Sequence, residues 1–434
     1  MGPFFRKVTV MEFRNPTETE RSQVEGLWAY CFEPKGHPFY EWYFANCYEP
    51  ENILVGVEAG QVLTNVHLRQ YTLSVRNKAL PVSYIVGVAT HPAARRGGVG
   101  GELLLASLAE LKKRGQALTI LMPSKAAFYQ QYGWELYCHQ WMQTLRLEDL
   151  RSMTERSLSF GLLNSVDQWR LLAPVYEAYT ANLSGYAIRS EADWRRLLGS
   201  VFNEGVYIAI VKQDDMIEGY MMYSLGAPEI VVSEFVYTSR RAQKALLNYI
   251  YNHRSQGETM RWNEGSHDEG YIFQPNGKEG HSTMPFMMSR IVDVQTALEV
   301  VPVTEDAINL ALVKSQAFVF DADLDALSRT LRFAVSDPLA TWNTGFYDVT
   351  FSTDNGVTAK RVGDLEVSTV SATMASTMEG VDVSITVGGL GLLLMGRLTA
   401  SELAYESKLI ADGATLDFLD SVYPKQKTYI NEWW

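Results

Sequence analysis

The chain has 434 residues, of which 47% are hydrophobic and 20% are charged, a composition typical of globular proteins and unlike that of disordered chains. This length favours two or three domains, because single hydrophobic cores rarely extend beyond about 250–300 residues. Lys and Arg total 38 against 50 Asp and Glu, which sets the formal net charge at -12. Such a charge repels phosphate backbones, so we expect no nucleic-acid partner and favour a cationic small molecule.

Cysteine content and hydropathy indicate a soluble protein of a reducing compartment. The three cysteines, Cys31, Cys47 and Cys138, lack C-x-x-C spacing, so we expect no disulfide framework and a cytoplasmic location. The first residues carry charges where a signal peptide would need an apolar core. The most apolar stretch, 383–395, is too short to span a bilayer, so no membrane partner is expected.

Strand and helix patterns alternate along residues 1–150, which predicts a mixed α/β domain. Thr17 and Glu20 have the spacing of a capping box, which predicts a helix running to about residue 32. The other predicted elements of this domain are strands at 7–13, 52–58, 61–75 and 80–90, a helix from 98, a strand at 117–122, a short helix at 124–131 and a strand after 133.

Residues 151–293 resemble a degraded copy of the first domain. The strand-to-helix turn that follows Val236 parallels the turn that follows Val88, but its glycines are absent. This parallel favours an internal duplication, and a chance match over a short stretch is the alternative. The predicted elements here are a hairpin at 207–212 and 219–224, a strand at 229–237 and a helix at 241–253.

Residues 294–434 change character again and predict a third domain. Its predicted elements are a helix at 294–300, strands at 345–353 and 380–387, and a helix at 399–411. The sequence ends in Trp433 and Trp434, whereas chain ends are usually polar and frayed. The aromatic end therefore indicates side chains held in a pocket or an interface.

The strongest chemical signal is the turn between the predicted strand at 80–90 and the helix after it. This turn contains Arg95, Arg96, Gly97, Gly98 and Gly100. Backbone N–H groups at a helix N-terminus bind pyrophosphate, glycine allows close approach, and the arginines add positive charge. The spacing, R-x-x-G-x-G, is that of neither a P-loop nor a dinucleotide turn. A glycine-rich turn with surface arginines is the alternative.

A second signal lies in the short helix after the next strand. Tyr129 stands there, and a tyrosine beside a thiol cofactor can donate a proton to a departing thiolate. The alternative is that the Tyr129 ring packs in the core. The two signals support each other because they occur in the right order, with a helix and a strand between them.

Together, Arg95-x-x-Gly98-x-Gly100 and Phe128-Tyr129-x-x-x-Gly133-Trp134 resemble the acetyl-CoA-binding core of the GCN5-related N-acetyltransferases (GNAT). The whole chain, with its Trp433-Trp434 ending, is similar to a narrower group, the enhanced-intracellular-survival (Eis-type) acetyltransferases. This resemblance implies an α/β (α+β) fold with two tandem GNAT-like domains, at 1–150 and 151–293, and a C-terminal sterol-carrier-protein-like α+β domain at 294–434. It implies that the second domain lacks the cofactor loop.

The resemblance also implies acetyl-CoA as co-substrate, no metal, and roles for particular residues. Tyr129 would protonate the leaving CoA thiolate, and the terminal carboxylate of Trp434 would act as base toward the amine. The implied cofactor contacts are Val88, Ala89, Thr90, Arg95, Arg96, Gly97, Gly98, Val99, Gly100 and Ser124. The implied substrate contacts are Phe32, Glu33, Trp194 and Trp433, with a core or interface position as the alternative for Trp194.

The expected reaction is direct acetyl transfer, in a ternary complex, to primary amines of an aminoglycoside- or polyamine-like cation. Gly87 stands where mycobacterial relatives carry an aromatic residue, which implies a wider pocket or a different amine. A non-catalytic protein that binds acetyl-CoA or a lipid is the alternative. The resemblance further implies a homo-oligomer, either a trimer or a hexamer.

His267 and His281 lack a second cluster at ligand spacing, so we expect no metal site.

Overall fold

The structure, a computed structural model, describes residues 11–273, 280–315, 319–321, 326–365 and 379–434. Its helices are α1 (Arg21–Cys31), α2 (Pro38–Asn46), α3 (Val99–Lys113), α4 (Ala126–Gln130), α5 (Trp169–Thr180), α6 (Glu191–Asn203), α7 (Arg240–Tyr251), α8 (Val294–Val300), α9 (Glu305–Ser315), α10 (Val387–Leu394), α11 (Ala400–Tyr405) and α12 (Gly413–Val422). Its strands are β1 (Glu12–Arg14), β2 (Ile53–Glu58), β3 (Gln61–Val75), β4 (Lys78–Thr90), β5 (Leu118–Leu121), β6 (Glu135–Arg146), β7 (Ser159–Leu163), β8 (Tyr186–Ala187), β9 (Tyr207–Gln213), β10 (Met216–Ser224), β11 (Glu229–Tyr237), β12 (Thr259–Gly265), β13 (His281–Ile291), β14 (Val319–Asp321), β15 (Ala326–Ser336), β16 (Gly345–Ser352), β17 (Gly356–Gly363), β18 (Val383–Thr386) and β19 (Leu409–Ile410).

Two sheets organise the described residues. The larger sheet has the strand order β1-β2-β3-β4-β5-β13-β6-β12-β11-β10-β9-β7, and β8 pairs with β3. The smaller sheet has the order β17-β16-β15-β18-β19, and β14 pairs with β15. The larger sheet therefore combines strands of the predicted first and second domains, and the smaller sheet belongs to the third.

The centre of the larger sheet contains an exchange of strands. Counting inward from either edge, five strands of one domain are followed by the last strand of the other. Thus β13 pairs with β5, with Met288 opposite Leu121, and β6 pairs with β12, with Leu145 opposite Met260. Because each domain completes the hydrogen-bonded ladder of the other, residues 151–293 form no separate sheet.

The predicted apolar stripe of the helix after the glycine turn faces the core. Leu103, Leu104, Leu108 and Leu111 of α3 are fully buried between the helix and the first part of the sheet. Recurrence at three- and four-residue steps places these side chains on one face, as the sequence pattern predicts.

Local starts of other helices also follow from the sequence. Glu20 accepts a hydrogen bond from the Thr17 N–H at 2.8 Å, so the predicted capping box is present and opens a short 3₁₀ turn that leads into α1. Residues 38–46, for which the sequence pattern predicts no element, form α2. There the His37 ring accepts from the Phe39 N–H, and Pro38 occupies the first turn.

The third domain differs from the sequence prediction in two places. The predicted strand at 380–387 is β18 followed by α10, because Thr386 caps a helix by accepting from the Gly389 N–H at 3.0 Å. The predicted helix at 399–411 is α11, which ends before β19. A short run of apolar residues is compatible with both a buried strand and a buried helix, and the periodicity of the apolar residues alone does not distinguish the two.

Helix α10 joins the third domain to the first. All of its residues are buried, and Leu390 and Leu394 belong to the same core cluster as Val82 and Tyr84. Arg76, in the turn between β3 and β4, donates to the carbonyls of Leu393 and Leu394 at 3.0 and 2.9 Å. A cation at these carbonyls complements the negative end of the helix dipole. No helix in the described ranges has both the length and the apolar character that a membrane span requires.

Candidate active site

The first feature of the site is the end of strand β4. The ladder between β4 and β5 runs from Ser83 to Ile85 and then stops, because β5 ends at Leu121. One residue further on, the ladder with β3 has a bulge that includes Gly87, whose φ is +61° and whose carbonyl accepts from Asn65 Nδ2 at 3.0 Å. The two strands therefore leave a cleft in which an extended ligand can pair with the backbone of β4.

The glycine-rich turn closes one end of this cleft. Gly98 has φ +86° and caps the N-terminus of α3, and Arg96 has φ +65°. Arg95 is folded back, since its Nε donates to the Thr90 carbonyl at 2.9 Å. The first turn of α3 presents N–H groups and the positive end of the helix dipole, an arrangement that suits a pyrophosphate.

Cleft and turn together form a cavity of about 530 Å³, called the cofactor cavity below. The predicted cofactor contacts that line it are Val88, Thr90, Arg95, Arg96, Gly98, Val99, Gly100 and Ser124. Ala89 and Gly97 do not line it, and the side chain of Ala89 is buried in the core beside Val55 and Val57. Only the backbone of Ala89 is thus available to a ligand.

Tyr129 satisfies both interpretations that the sequence leaves open. Its ring is 7% exposed and packs edge-to-face with Phe128 and Trp134, at centroid distances of 5.0 and 6.3 Å. It also lines the cofactor cavity. Burial raises the pKa of Tyr129, and a hydrogen bond with Ser124 opposes this shift in part. The phenol therefore stays protonated at neutral pH and can donate a proton.

A second cavity has a volume of about 490 Å³ and is called the acceptor cavity below. Its lining includes residues of the segment after α1, of α2, α6, β10 and β11, and residues 431–434. Of the predicted substrate contacts, Glu33 and Trp433 line the acceptor cavity, whereas Phe32 lines the cofactor cavity. Consecutive residues, Phe32 and Glu33, therefore line the two cavities.

The aromatic end of the chain contacts a pocket, as predicted, although Trp433 remains 44% exposed. Trp434 lines the acceptor cavity, and its Nε1 donates to the Tyr71 hydroxyl at 2.8 Å. The buried guanidinium of Arg69 lies 4.5 Å from the Trp434 ring centroid, a cation–π contact. Trp433 packs against Phe286 at 4.7 Å between ring centroids. These contacts hold the last two residues of the sequence at the wall of the acceptor cavity.

The acceptor cavity has an excess of acidic side chains. Its carboxylates are Glu33, Asp193, Glu204, Glu234 and Glu432, and Arg196 is the cation among its lining residues in the described part of the chain. Arg196 is paired with Asp193 at 2.7 Å. Arg189, which does not line the cavity, pairs with Glu234 and Glu432 at 2.7 and 2.8 Å. Five carboxylates against two arginines still leave a net negative charge, which favours a cationic ligand.

Two predictions about the pocket walls need correction. Trp194 lines neither cavity: it is 1% exposed and packs with Leu198 and Val201 in the core of the second domain. The neighbouring helical positions, Asp193 and Arg196, face the acceptor cavity instead. Gly87 does not widen the pocket, because the Trp28 ring fills the space in front of it.

Several residues of the acceptor cavity carry no sequence signal. Trp42, Tyr71 and Arg196 come from three distant segments and belong to no local motif. The helical period distinguishes Arg196 from the residues on the buried face of α6. Nothing in the sequence indicates which element the buried face packs against. Of the three free cysteines, Cys31 lines the cofactor cavity.

The second domain lacks an open counterpart of the phosphate-binding turn. After β11 the chain enters α7 with Ser239 as cap, and Arg240 at its start forms an ion pair with Asp268 at 2.6 Å. Tyr237 and Gln243 hydrogen-bond to this acidic cluster, which includes Glu264. Protein side chains thus fill the place where a pyrophosphate would lie. Within the described ranges, no group of three or more His, Cys, Asp or Glu side chains could hold a metal ion.

Family comparisons agree with this architecture. Residues 12–137 and residues 185–291 each match an acetyltransferase (GNAT) domain family, and residues 316–431 match a sterol carrier protein domain family. No curated protein matches the chain in sequence. The protein is therefore an enzyme that carries two acetyltransferase (GNAT) domains, and the predicted fold, two tandem GNAT domains followed by a sterol-carrier-protein-like domain, is confirmed.

Solved structures share this three-part fold along their whole length. A conserved protein of unknown function from Enterococcus faecalis is similar at a TM-score of 0.79 and 20% identity, covering 98% of this chain and 100% of its own. A GCN5-related N-acetyltransferase from Anabaena variabilis is similar at 0.75 and 17% identity, with 98% and 100% coverage. Eis1 from Mycobacterium abscessus is similar at 0.67 and 17% identity, again with 98% and 100% coverage. This likeness concerns the fold.

Proposed function

We propose that this protein is an Eis-type acetyltransferase that moves an acetyl group from acetyl-CoA to a primary amine of a cationic small molecule. The observation that carries the proposal is that consecutive residues, Phe32 and Glu33, line a cofactor cavity and an acidic acceptor cavity. Two cavities that share a wall segment can hold both substrates at once, so the transfer is direct, in a ternary complex. An aminoglycoside- or polyamine-like acceptor matches the carboxylates of the second cavity.

The cofactor cavity suits the parts of acetyl-CoA in order. The backbone of Val88, Ala89 and Thr90 would pair with the pantetheine arm as an added strand would. The N–H groups from Arg96 to Gly100 would hold the pyrophosphate, with both arginines of the turn adding charge. This arrangement directs the thioester toward the end of the cleft near Tyr129.

Two groups would perform the proton transfers. Tyr129 donates a proton to the CoA thiolate as it leaves, and its buried position keeps the phenol protonated. The carboxylate of Trp434 would accept the proton that the substrate amine loses, either directly or through a water, before the amine nitrogen attacks the thioester. An α-carboxylate has an ordinary pKa of about 3.5, so its main contribution is to position the amine and stabilise the positive charge on nitrogen during attack.

A panel of amines tests this function most directly. Calorimetry would measure acetyl-CoA binding, and release of free thiol would be followed with spermidine, an aminoglycoside, a neutral monoamine and an alcohol of matched size. We expect thiol release with the polycations, and intersecting lines in double-reciprocal plots because both substrates bind before transfer. Acetyl-CoA binding without thiol release on any amine would overturn the proposal.

That outcome would favour the alternative function, a non-catalytic protein that binds acetyl-CoA or a lipid. The match of residues 316–431 to a sterol carrier protein domain is the observation in its favour. A fluorescent fatty acid displaced by unlabelled lipid would test it on the same preparation.

We further propose a homo-oligomer, a trimer or a hexamer, that works in the cytoplasm without a nucleic-acid or membrane partner. Multi-angle light scattering over a tenfold range of concentration tests the assembly, and a monomer mass throughout would refute it. Cell fractionation tests the location.

A further inference from the structure

The second domain repeats the cofactor cleft of the first. Strands β11 and β12 run parallel and are paired only from Glu229 to Val232, although β11 continues to Tyr237 and β12 to Gly265. The ladder between β10 and β11 has a bulge at Ser233, one residue beyond this pairing. The same combination, a parallel pair that stops followed by a bulge, creates the cofactor cleft of the first domain.

The C-terminal segment of the chain lies in this second cleft. On the β12 side, a Cβ placed on Gly265 would be 3.0 Å from the Tyr429 ring, and the ring also packs against Tyr179. On the β11 side, Asn431 Nδ2 donates to the carbonyl of Ser233, in the bulge, at 3.0 Å. The segment therefore contacts both strands where their pairing has ended.

Asn431 connects the cleft to the acceptor cavity. Its Oδ1 accepts from Gln140 Nε2 at 3.0 Å and from Trp433 Nε1 at 2.9 Å. One carboxamide thus bonds to the bulge of the second domain, to β6 and to the indole of Trp433. An amide that donates to a strand carbonyl offers the same chemistry as an amide of a pantetheine arm.

The next residue is held by a buried arginine. Arg189 donates to Glu432 Oε1 at 2.8 Å and to both carboxylate oxygens of Glu234 on β11, at 2.7 and 2.8 Å. Its guanidinium lies between the rings of Tyr176 and Trp194, at 4.2 and 4.8 Å from their centroids. Such charge-assisted, stacked contacts restrict both position and rotation of the side chain.

The first domain holds the same residue from the other side. The Tyr84 hydroxyl donates to the Glu432 carbonyl at 3.1 Å, and both groups are buried. Glu432 is thus fixed to both domains, two residues before Trp434. The path of the chain into the acceptor cavity is set at this residue.

We propose that the second GNAT domain keeps its cofactor cleft as a binding site for residues 429–432 of its own chain, and that this docking positions Trp433 and Trp434 in the acceptor cavity. Arg189 and Asn431 are positioning residues in this scheme, since they act through the segment. The catalytic part of the inference rests on the proposed function, whereas the docking part does not.

Hydrogen exchange on the full chain tests docking without any assay of activity. We expect Asn431→Ala and Glu432→Gln to raise the exchange rate of the last eight amides at least tenfold, while the strand β11 keeps its protection. Tyr405→Ala, at a tyrosine that is 88% exposed on the third domain, is the matched control and should leave both unchanged. Unchanged protection of the last amides in both variants would overturn the docking.

Steady-state kinetics on the same proteins test the positioning role. We expect kcat to fall at least tenfold in Asn431→Ala and Glu432→Gln, while calorimetry finds acetyl-CoA binding within twofold of the parent protein. A tail that has lost protection with an unchanged kcat would refute positioning and leave docking intact. If the parent protein transfers no acetyl group, the proposed function fails, and the exchange experiment still decides the docking.

Discussion

The Trp28 ring occupies the space that a side chain at position 87 would need. A Cβ built on Gly87 would lie 2.4 Å from Trp28 Cζ3, far inside van der Waals contact. The same indole stacks on Tyr43 at 4.5 Å and donates from Nε1 to Glu33 at 3.0 Å. An aromatic side chain from α1 therefore packs against Gly87, and its hydrogen bond orients Glu33, an acidic residue that lines the acceptor cavity.

This contact predicts a cost for any side chain at position 87. Gly87→Ala should lower the free energy of unfolding by about 2–5 kcal/mol, from left-handed backbone strain together with overpacking against Trp28. Gly60→Ala is the matched control: its φ is +78° and its Cβ would meet no atom within 4 Å. It should cost only about 1–2 kcal/mol from the backbone. Urea unfolding of the two variants compares them, and equal losses would contradict the steric argument.

Removal of the Tyr129 hydroxyl should slow the chemical step and spare cofactor binding. We expect Tyr129→Phe to lower kcat by about 10²-fold, the usual contribution of a general acid, with acetyl-CoA affinity within twofold. Tyr132→Phe is the matched control, because Tyr132 lines the same cavity. Thiol-release kinetics distinguish the two residues. An equal, small loss in both variants would remove Tyr129 from the acid role.

The pH dependence of kcat provides a second test of Tyr129. Because burial raises its pKa, the phenol remains protonated above the ordinary tyrosine value of 10.0, and kcat should decline only at still higher pH. The profile would be recorded with an amine whose own ionisation is complete at lower pH. A decline of kcat centred below pH 10.0 in the parent protein, absent from Tyr129→Phe, would contradict the conclusion that burial raises the pKa of Tyr129.

His67 should make the fold acid-sensitive. It is fully buried, its Nδ1 lies 2.9 Å from the Tyr43 hydroxyl, and burial lowers the pKa of His67 to about 3. Below pH 6.5 the imidazole of His67 binds a proton in the unfolded chain and stays neutral in the folded chain. The contribution of His67 to the free energy of unfolding is therefore present above pH 6.5 and is lost as pH falls toward 3. Between pH 6.5 and 5.0 the loss is about 2 kcal/mol.

Chemical denaturation at those two pH values measures this effect. His67→Gln should lose less stability on acidification than the parent protein, by the same amount. His91→Gln, at an exposed turn position, is the control and should follow the parent protein. Parallel pH curves for the parent protein and His67→Gln would contradict the prediction.

The ion pair between Arg290, on strand β13 of the second domain, and Asp337 of the third domain should be essential to the join between these two domains. Both side chains are 0% exposed, and Arg290 donates to both carboxylate oxygens and to the Tyr132 carbonyl. Arg290→Met would leave a buried carboxylate without its cation, at a cost of about 3–5 kcal/mol. Adding Asp337→Asn should recover part of that loss, because it removes the orphan charge.

Arg332→Met serves as the control for this pair. Arg332 and Asp348 form an ion pair whose side chains are 46% and 30% exposed, so its loss should cost less than about 1 kcal/mol. Denaturant unfolding gives all four free energies. If Arg290→Met loses no more free energy of unfolding than Arg332→Met, then burial does not increase the contribution of the ion pair to stability.

The sequence alone predicts the parts of this protein that depend on local pattern. The glycine turn with Arg95 and Arg96, the buried stripe of α3 and the position of Tyr129 follow from spacing within short segments, because turn conformation and helix period are local properties. The order of the three domains follows from the resemblance of the sequence to a known family. In the structure, Arg95, Arg96 and Tyr129 line one cavity, and the leucines of α3 face the core.

Tertiary structure decides the rest, because it depends on which distant segments meet. The exchange of β6 and β13 and the aromatic side chain in front of Gly87 arise from contacts between residues far apart in the chain. The buried position of Trp194 depends on which face of α6 meets the second-domain core, and periodicity does not supply that choice. For the same reason the sequence identifies an aromatic end, and only the packed structure assigns it to the acceptor cavity.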